Sequence, residues 1–181
     1  MQRQHTRLQL RIQQRWDLRT SVINDPAVET AMKQHTWQHR ERSQPDEDGA
    51  LRAVHRTGDW IPPIVVRSAG RKGHGAFAAR QLRALEVIGE YSGEIVRAEL
   101  SGEECMYTFE LYCGGLVVDA ARRGNTTRFI NHARPPRSNV IASIAVANGV
   151  RKIVLRASCD IGSGKELLLD YSYDRDGWIG T

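Results

Sequence analysis

Cysteine is scarce in this sequence of 181 residues, and its three copies, Cys105, Cys113 and Cys159, are isolated from one another. Because no C-x-x-C pair is present, the sequence indicates neither a zinc site nor a disulfide framework. Unpaired thiols in an odd number are typical of a reducing, intracellular compartment. We therefore expect an intracellular protein that binds no metal ion.

Long apolar runs are also missing. No stretch approaches the roughly 20 residues that a membrane-spanning helix needs. The N-terminal segment, MQRQHTRLQLRIQQ, lacks the apolar core of a secretory signal. Its arginines and its lack of acidic residues before Asp17 leave a transit peptide as an alternative, although the segment is poor in serine. The sequence predicts no association with a membrane.

The positive charge lacks clustering. The net charge is +5, yet the longest basic groups are pairs such as Arg71-Lys72, Arg122-Arg123 and Arg151-Lys152. Proteins that bind nucleic acids usually gather their basic residues on one face or in one run. We therefore expect a mildly basic surface with no specific nucleic-acid site, and a weak attraction to acidic partners stays open.

The first part of the chain, residues 1–59, is predicted to be a helical extension. An apolar residue recurs every four positions at Leu8, Ile12 and Trp16, and Pro26 suits the first turn of a second helix. His35 and His39 have the i, i+4 spacing of a metal-binding pair. The segment lacks the H-E-x-x-H pattern and a third ligand, so a solvent-facing pair is the expected arrangement.

Residues 60–181 are predicted to form a second domain with short strands and little helix. The strands are expected at 64–67, 75–80, 86–93, 107–112, 116–120, 140–149, 151–157 and 166–173. Gly114-Gly115 and Asn148-Gly149 are typical of hairpin turns, which need positive φ angles. The sequence therefore predicts a mainly β, α+β fold class.

Three stretches of this second domain are unusual for a scaffold: GRKGHGAFA (70–78), RFINH (128–132) and ELLLDYSYD (166–174). Each alone has an ordinary explanation. Glycines serve turns, a buried Asn or His satisfies backbone groups, and tyrosines near a strand end pack with a bonded hydroxyl. No G-x-G-x-x-G opens a helix here, so a dinucleotide-binding fold is not indicated.

Together and in this order, the three stretches resemble the SET domain, the family of lysine methyltransferases. The resemblance covers about residues 64–173. It is carried by three blocks of sequence, GHGAFAARQLRALEVIGEYSGEIV, YTFELYCGGLVVDAARRGNTTRFINHA and SNVIASIAVANGVRKIVLRASCDIGSGKELLLDYSY. The family's fold, a set of small curved β-sheets, implies that the N-H segment passes close to the C-terminal D-Y segment in a knot-like arrangement.

The resemblance implies S-adenosylmethionine as the cofactor and a lysine of a protein or peptide, histones included, as the substrate. It implies two catalytic tyrosines, Tyr171 and Tyr107, and a substrate channel with Leu169 and Tyr173. The residues that match the family's cofactor site are Gly73, His74, Gly75, Arg128, Phe129, Asn131 and His132. Leu169 falls where members carry Phe or Tyr and where the number of methyl groups added is tuned.

The sequence also departs from the family's pattern. The segment NHARPPRSN is two residues longer than its family counterpart and lacks a cysteine. Many histone-directed members bind zinc through cysteines that follow the D-Y motif, whereas YSYDRDGWIGT contains none. Trp178 is expected to cover the cofactor instead.

Two functions follow from the resemblance. The first is protein-lysine N-methylation, with a nuclear location if the protein is eukaryotic or host-directed and a cytoplasmic one otherwise. The second is a catalytically silent SET module that binds a peptide or a protein partner. Asn131, His132 and Tyr171 are all present, and this favours the enzyme, because a silent module has no need of all three.

Overall fold

The structure is a computed structural model that describes Pro26 and residues 62–98, 107–111, 115–147 and 150–171. Apart from Pro26, which is helical, the predicted N-terminal extension lies outside the described residues, as do Tyr173 and Trp178. No helix in the described ranges is long and apolar enough to cross a membrane.

Strands are the predominant regular structure of the described chain, which confirms the predicted mainly β class. They are β1 (Ile64–Ser68), β2 (His74–Ala78), β3 (Val87–Glu90), β4 (Glu94–Arg97), β5 (Thr108–Glu110), β6 (Leu116–Asp119), β7 (Asn131–His132), β8 (Val140–Ala147), β9 (Val150–Ala157) and β10 (Leu168–Leu169). Two short 3₁₀-helices, Gly70–Lys72 and Thr126–Phe129, accompany them. The strands form three sheets, with the orders β1-β2, β4-β6-β5 and β3-β9-β8-β10-β7.

The long hairpin of β8 and β9 is the centre of the five-stranded sheet. Ala147 pairs with Val150, so two residues connect the strands and the hairpin predicted at Asn148-Gly149 is confirmed. Successive side chains of a strand point to opposite faces, and both faces of β9 are buried. Ile153 and Leu155 join the main core, whereas Val154 packs in a second, smaller cluster.

One predicted strand, 86–93, is in fact two. The chain leaves the five-stranded sheet after β3, bends through residues 91–93 and enters the three-stranded sheet as β4. A Cβ atom on Gly93 would lie 2.5 Å from the carbonyl oxygen of Asp119, so only glycine allows this close approach to β6. The stretch contains no proline, and glycines occur inside strands as well as at bends, so the sequence pattern did not reveal the bend.

The other differences concern short strands. Of the strand predicted at 166–173, the structure describes residues 166–171, in which Leu168–Leu169 forms a strand and Glu166 an isolated bridge. The strand β7 was not predicted, and the apolar pair before it belongs to a 3₁₀-helix and its end. Strand β10 runs parallel to β7 and pairs Leu168 with Asn131 and Leu169 with His132. Segments nearly forty residues apart in sequence thereby become neighbours.

Candidate active site

The connection from β1 to β2 forms one side of the candidate site. Gly73 follows the first 3₁₀-helix with a φ of 75°, a conformation that other residues rarely adopt. Gly75 has a different role. A Cβ atom there would lie 3.0 Å from Glu166 Oε1 and 3.1 Å from Asn131 Nδ2. The missing side chain of Gly75 therefore makes room for groups of the chain itself.

Asn131 connects this turn with the C-terminal segment. Its Nδ2 atom donates to the carbonyl oxygen of His74 over 3.2 Å and to Glu166 Oε1 over 3.0 Å. A carbonyl oxygen accepts but never donates, so the amide nitrogen must face these partners. Among the described residues no donor bonds to Oδ1 of Asn131. Oδ1 of Asn131 is thus available in the site as a hydrogen-bond acceptor.

His132 holds the backbone of Tyr171. Its Nδ1 atom accepts the Tyr171 N–H over 3.1 Å, and the two rings lie 5.3 Å apart. A ring nitrogen that accepts carries no proton, so the imidazole is in its Nε2–H form. The Asp170 carboxylate lies 3.8 Å from the same Nδ1. Because the Tyr171 amide occupies that lone pair, Asp170 is a neighbouring charge and not a bonded partner.

Aromatic rings border Asn131. The second 3₁₀-helix, Thr126–Phe129, is capped by Asn125, whose side chain accepts the N–H of Thr127. The His74 and Phe129 rings meet edge to face with their centroids 6.0 Å apart. This contact joins the β1–β2 connection to the RFINH segment and forms an aromatic edge between them.

Arg128 is buried below this edge, with 8% of its surface exposed. Its guanidinium carbon lies 3.7 Å from the centroid of the Tyr107 ring and 5.3 Å from that of Phe129. Nη1 also donates to the carbonyl oxygen of Ala121 over 3.1 Å. A cation over an aromatic face is attracted by the ring quadrupole, so Arg128 supports the rings of Tyr107 and Phe129.

Tyr91 is a site neighbour that the sequence analysis did not single out. Its hydroxyl donates to the carbonyl oxygen of Tyr107 over 2.8 Å, and its ring packs on Phe109 with centroids 5.4 Å apart. Burial, and then the nearby phenol of Tyr171, raise the pKa of Tyr91 far above its usual range. Tyr91 therefore remains neutral. Tyr91 belongs to the EYSGE stretch of the first block, and the resemblance assigned no role to that stretch.

Glu166 is the second residue that was missed, although the GKEL stretch belongs to the third block. Besides Asn131, its surroundings include Lys72, whose Nζ lies 4.0 Å from Glu166 Oε1 and donates to the carbonyl oxygen of His132 over 3.3 Å. The backbone of Glu166 accepts from Asn139 Nδ2 over 2.9 Å. Glu166 thus lies close to Lys72 of the β1–β2 connection and bonds to Asn131 of the RFINH segment.

The structure brings most of the predicted residues together. Two groups of predicted residues are in contact, and Phe129 belongs to both. The first contains His74, Gly75, Phe129, Asn131, His132 and Tyr171, and the second contains Tyr107, Arg128 and Phe129. Leu169 pairs with His132 in the sheet, and its side chain is 5% exposed in the main core. No group of three potential metal ligands occurs in the part of the chain that the structure describes.

Comparison with known proteins identifies the family of the chain. The family described as the SET domain matches residues 73–172, more than half of the chain. The "Histone-lysine N-methyltransferase, H3 lysine-4 specific" of Yarrowia lipolytica is 37% identical over 112 residues, which are 56% of this chain and 9% of that protein. The protein of the same name from Schizosaccharomyces pombe is 36% identical over 112 residues, 56% of this chain and 12% of its own.

A plant protein is similar over a slightly longer region. "Histone-lysine N-methyltransferase MEDEA" of Arabidopsis thaliana is 33% identical over 118 residues, which are 61% of this chain and 17% of that protein. The chain therefore spans less than a fifth of the length of these curated relatives. The region matched by the family contains the three blocks on which the resemblance was based, apart from the last residue, Tyr173, and the predicted resemblance is confirmed.

Proposed function

The chain belongs to the SET domain family, and on that premise we propose that it is a protein-lysine N-methyltransferase. The proposed methyl donor is S-adenosylmethionine, and the proposed substrates are lysines of histones or of other basic proteins. The parallel pairing of β7 with β10 is the observation that supports this most directly. It brings an unbonded acceptor, Asn131 Oδ1, and a fixed tyrosine, Tyr171, to one place.

The residues on one side of the site suit the proposed cofactor. S-adenosylmethionine carries a cationic amino group, a flat adenine ring and a sulfonium, and when bound it would supply the sulfonium methyl group to a nucleophile. Asn131 Oδ1 would accept from the amino group, while His74 and Phe129 offer an aromatic edge. Gly73, Gly75 and His132 would complete this side, with Arg128 supporting the Phe129 ring.

The other side would receive the lysine. Tyr107, Tyr171, Leu169 and Tyr173 are proposed to line an apolar, aromatic channel. Desolvation in such a channel disfavours the charged ammonium and so lowers the pKa of the lysine, which must be neutral to attack. The hydroxyl hydrogen of Tyr171 is donated to the Ile130 carbonyl oxygen. In the proposed mechanism, the oxygen of that hydroxyl accepts from the amine or from the polarised C–H groups of the methyl.

Alignment and exclusion of water are the chain's main tasks in such an in-line transfer. Trp178 is proposed to cover the cofactor, and the 128–132 and 166–173 segments are proposed to thread in the knot-like manner of the family. The parallel β7–β10 pairing supports this threading. We further propose an intracellular location, nuclear if the protein is eukaryotic or host-directed and otherwise cytoplasmic, and a helical N-terminal extension over residues 1–59.

A transfer assay tests the function. Protein incubated with tritium-labelled S-adenosylmethionine and either core histones or a cell lysate is expected to label protein lysines. Asn131→Ala removes the acceptor, and it should weaken calorimetric binding of S-adenosylhomocysteine by about 1–3 kcal/mol. Absence of both labelling and binding in the folded wild-type protein would refute the enzyme, whereas binding without labelling would favour the silent module.

A further inference from the structure

We propose that Glu166 is a positioning residue of the cofactor site. Its carboxylate holds the amide of Asn131 in the one orientation that presents Oδ1 to the cofactor's amino group. This inference rests on the proposed function. It adds a residue that touches neither the cofactor nor the reacting atoms and acts through Asn131.

The backbone fixes where the Glu166 carboxylate can be. Glu166 forms an isolated bridge with Phe77 of β2, and the next residue, Leu167, donates to the carbonyl oxygen of Ala76 over 2.8 Å. On the other side, Asn139 Nδ2 donates to the Glu166 carbonyl oxygen over 2.9 Å. Hydrogen bonds thus hold the backbone at Glu166 on two sides and restrict its movement. Only the conformation of the Glu166 side chain remains to be fixed.

The amide of Asn131 has two orientations of nearly equal shape. In the observed one, the two hydrogens of Nδ2 face the His74 carbonyl oxygen and the Glu166 carboxylate. A turn of 180° would put Oδ1 against both of these acceptors, where it would be repelled. It would also present N–H donors to the positive amino group of the cofactor. The bond to the ionised carboxylate, which is stronger than a neutral one, therefore selects the productive orientation.

The surroundings are built for this contact. Gly75 leaves the space in which Glu166 Oε1 and Asn131 Nδ2 meet, since a Cβ atom would lie within 3.1 Å of both. Lys72 Nζ, 4.0 Å from the carboxylate, partly balances its charge and donates to the His132 carbonyl oxygen. Because the Lys72 side chain is 40% exposed, water screens this ion pair. The Asn131 contact is thus the principal role of the carboxylate.

Two ligands separate positioning from plain stabilisation. S-adenosylhomocysteine has the amino acid end that Asn131 would bind, and 5′-methylthioadenosine lacks that end altogether. A positioning role predicts that Glu166→Ala weakens binding of the first ligand by about 10- to 100-fold, the equivalent of one charged hydrogen bond. Binding of the second ligand should change by less than about 2-fold, because its contacts do not include Asn131. Glu166→Gln keeps an acceptor oxygen and should lie between Glu166→Ala and wild type.

Glu86→Gln is the matched control. The Glu86 side chain is 27% exposed against 23% for Glu166, and it pairs with Arg80 over 2.6 Å outside the site. This variant should bind both ligands as the wild type does. Calorimetry gives the affinities, and urea denaturation verifies that each variant is folded.

The outcomes are distinct. A selective loss of S-adenosylhomocysteine in Glu166→Ala, partly restored in Glu166→Gln, supports the proposal. Equal losses for both ligands, or unchanged binding of S-adenosylhomocysteine by a folded Glu166→Ala, overturn it. A wild-type protein that binds neither ligand refutes the proposed function itself, whatever the variants do.

Discussion

Tyr171 is held at both ends by residues that lie about forty positions earlier in the sequence. His132 accepts its backbone N–H, and the Ile130 carbonyl oxygen accepts its hydroxyl hydrogen. Both partners come from the RFINH segment, so the ring of Tyr171 and the Oδ1 acceptor of Asn131 are set by one piece of chain. In the proposed mechanism, this common support keeps the methyl donor and the lysine amine aligned.

Replacement of Tyr171 by Phe tests the hydroxyl at the residue scale. The variant keeps the ring but loses the oxygen that would orient the amine, so we expect methyl transfer to fall by about 10²-fold or more. Affinity for S-adenosylhomocysteine should change little. Single-turnover transfer and calorimetry on the same preparation measure the two effects, and a fully active variant would contradict the proposed role of Tyr171.

Leu169 is the residue proposed to govern how many methyl groups are added. Leucine cannot hydrogen-bond the amine and leaves room for a methylated nitrogen to rotate, so the wild type is expected to form di- or trimethyllysine. Leu169→Tyr should shift the product towards monomethyllysine, as measured by mass spectrometry. A wild-type enzyme that stops after one methyl group would show that Leu169 lacks this role.

The buried position of Leu169 calls for controls on that experiment. Its side chain lies in the main core, and inserting a larger residue into a core costs about 1–3 kcal/mol. Leu169→Phe is a second variant that adds the ring without the hydroxyl. Leu168→Phe enlarges the neighbouring buried side chain, which points to the other face of β10, and it should leave the product distribution unchanged.

At the scale of elements, a buried ion pair connects β3 with β9. Lys152 Nζ lies 3.3 Å and 3.1 Å from the two carboxylate oxygens of Glu90, and the two residues are only 8% and 1% exposed. The Glu90 carbonyl oxygen also accepts from Asn125 Nδ2 over 2.8 Å. The central sheet is thereby attached to the start of the 3₁₀-helix that leads into RFINH.

Loss of one partner of this pair should be costly. Lys152→Met leaves the buried Glu90 carboxylate without its ammonium partner, and we expect the free energy of unfolding to fall by about 3–5 kcal/mol. Urea denaturation measures this change. The double variant Glu90→Leu/Lys152→Met should recover much of the loss, because two apolar side chains leave no charge behind. A single variant as stable as the wild type would show that the pair contributes little.

At the scale of the whole molecule, the three sheets meet around the site. The two-stranded sheet contributes His74, the five-stranded sheet contributes Asn131 and His132, and the three-stranded sheet adjoins Tyr107. In the part of the chain that the structure describes, this assembly contains no cluster of metal ligands, and Cys159 is an exposed free thiol. Packing, hydrogen bonds and ion pairs hold this part together.

Purified protein is accordingly expected to contain far less than one zinc ion per chain. A chelator should leave its thermal unfolding temperature unchanged, because no metal ligation would be lost. Elemental analysis and thermal scans with and without chelator provide the test. Stoichiometric zinc whose removal destabilises the protein would contradict the prediction, and it would direct attention to Cys105, Cys113, His35 and His39.

The sequence by itself determined the strand-rich class, the β8–β9 hairpin and the family. These features depend on local signals, such as alternation of apolar residues and Asn-Gly at a turn, or on motifs in a fixed order. The family resemblance also brought together the predicted residues of RFINH and of the D-Y motif. Each of these features can be recognised from residues close together in the chain or from their order along it.

Only the tertiary structure decided the rest. It split 86–93 between two sheets, placed Arg128 below the Tyr107 ring, and showed that Gly75 makes room for Asn131 and Glu166. It also showed that Asn131 and His132 form a strand, because their pairing partners lie on β10. These features depend on contacts between segments far apart in sequence, and such contacts leave no periodic or compositional trace in either segment.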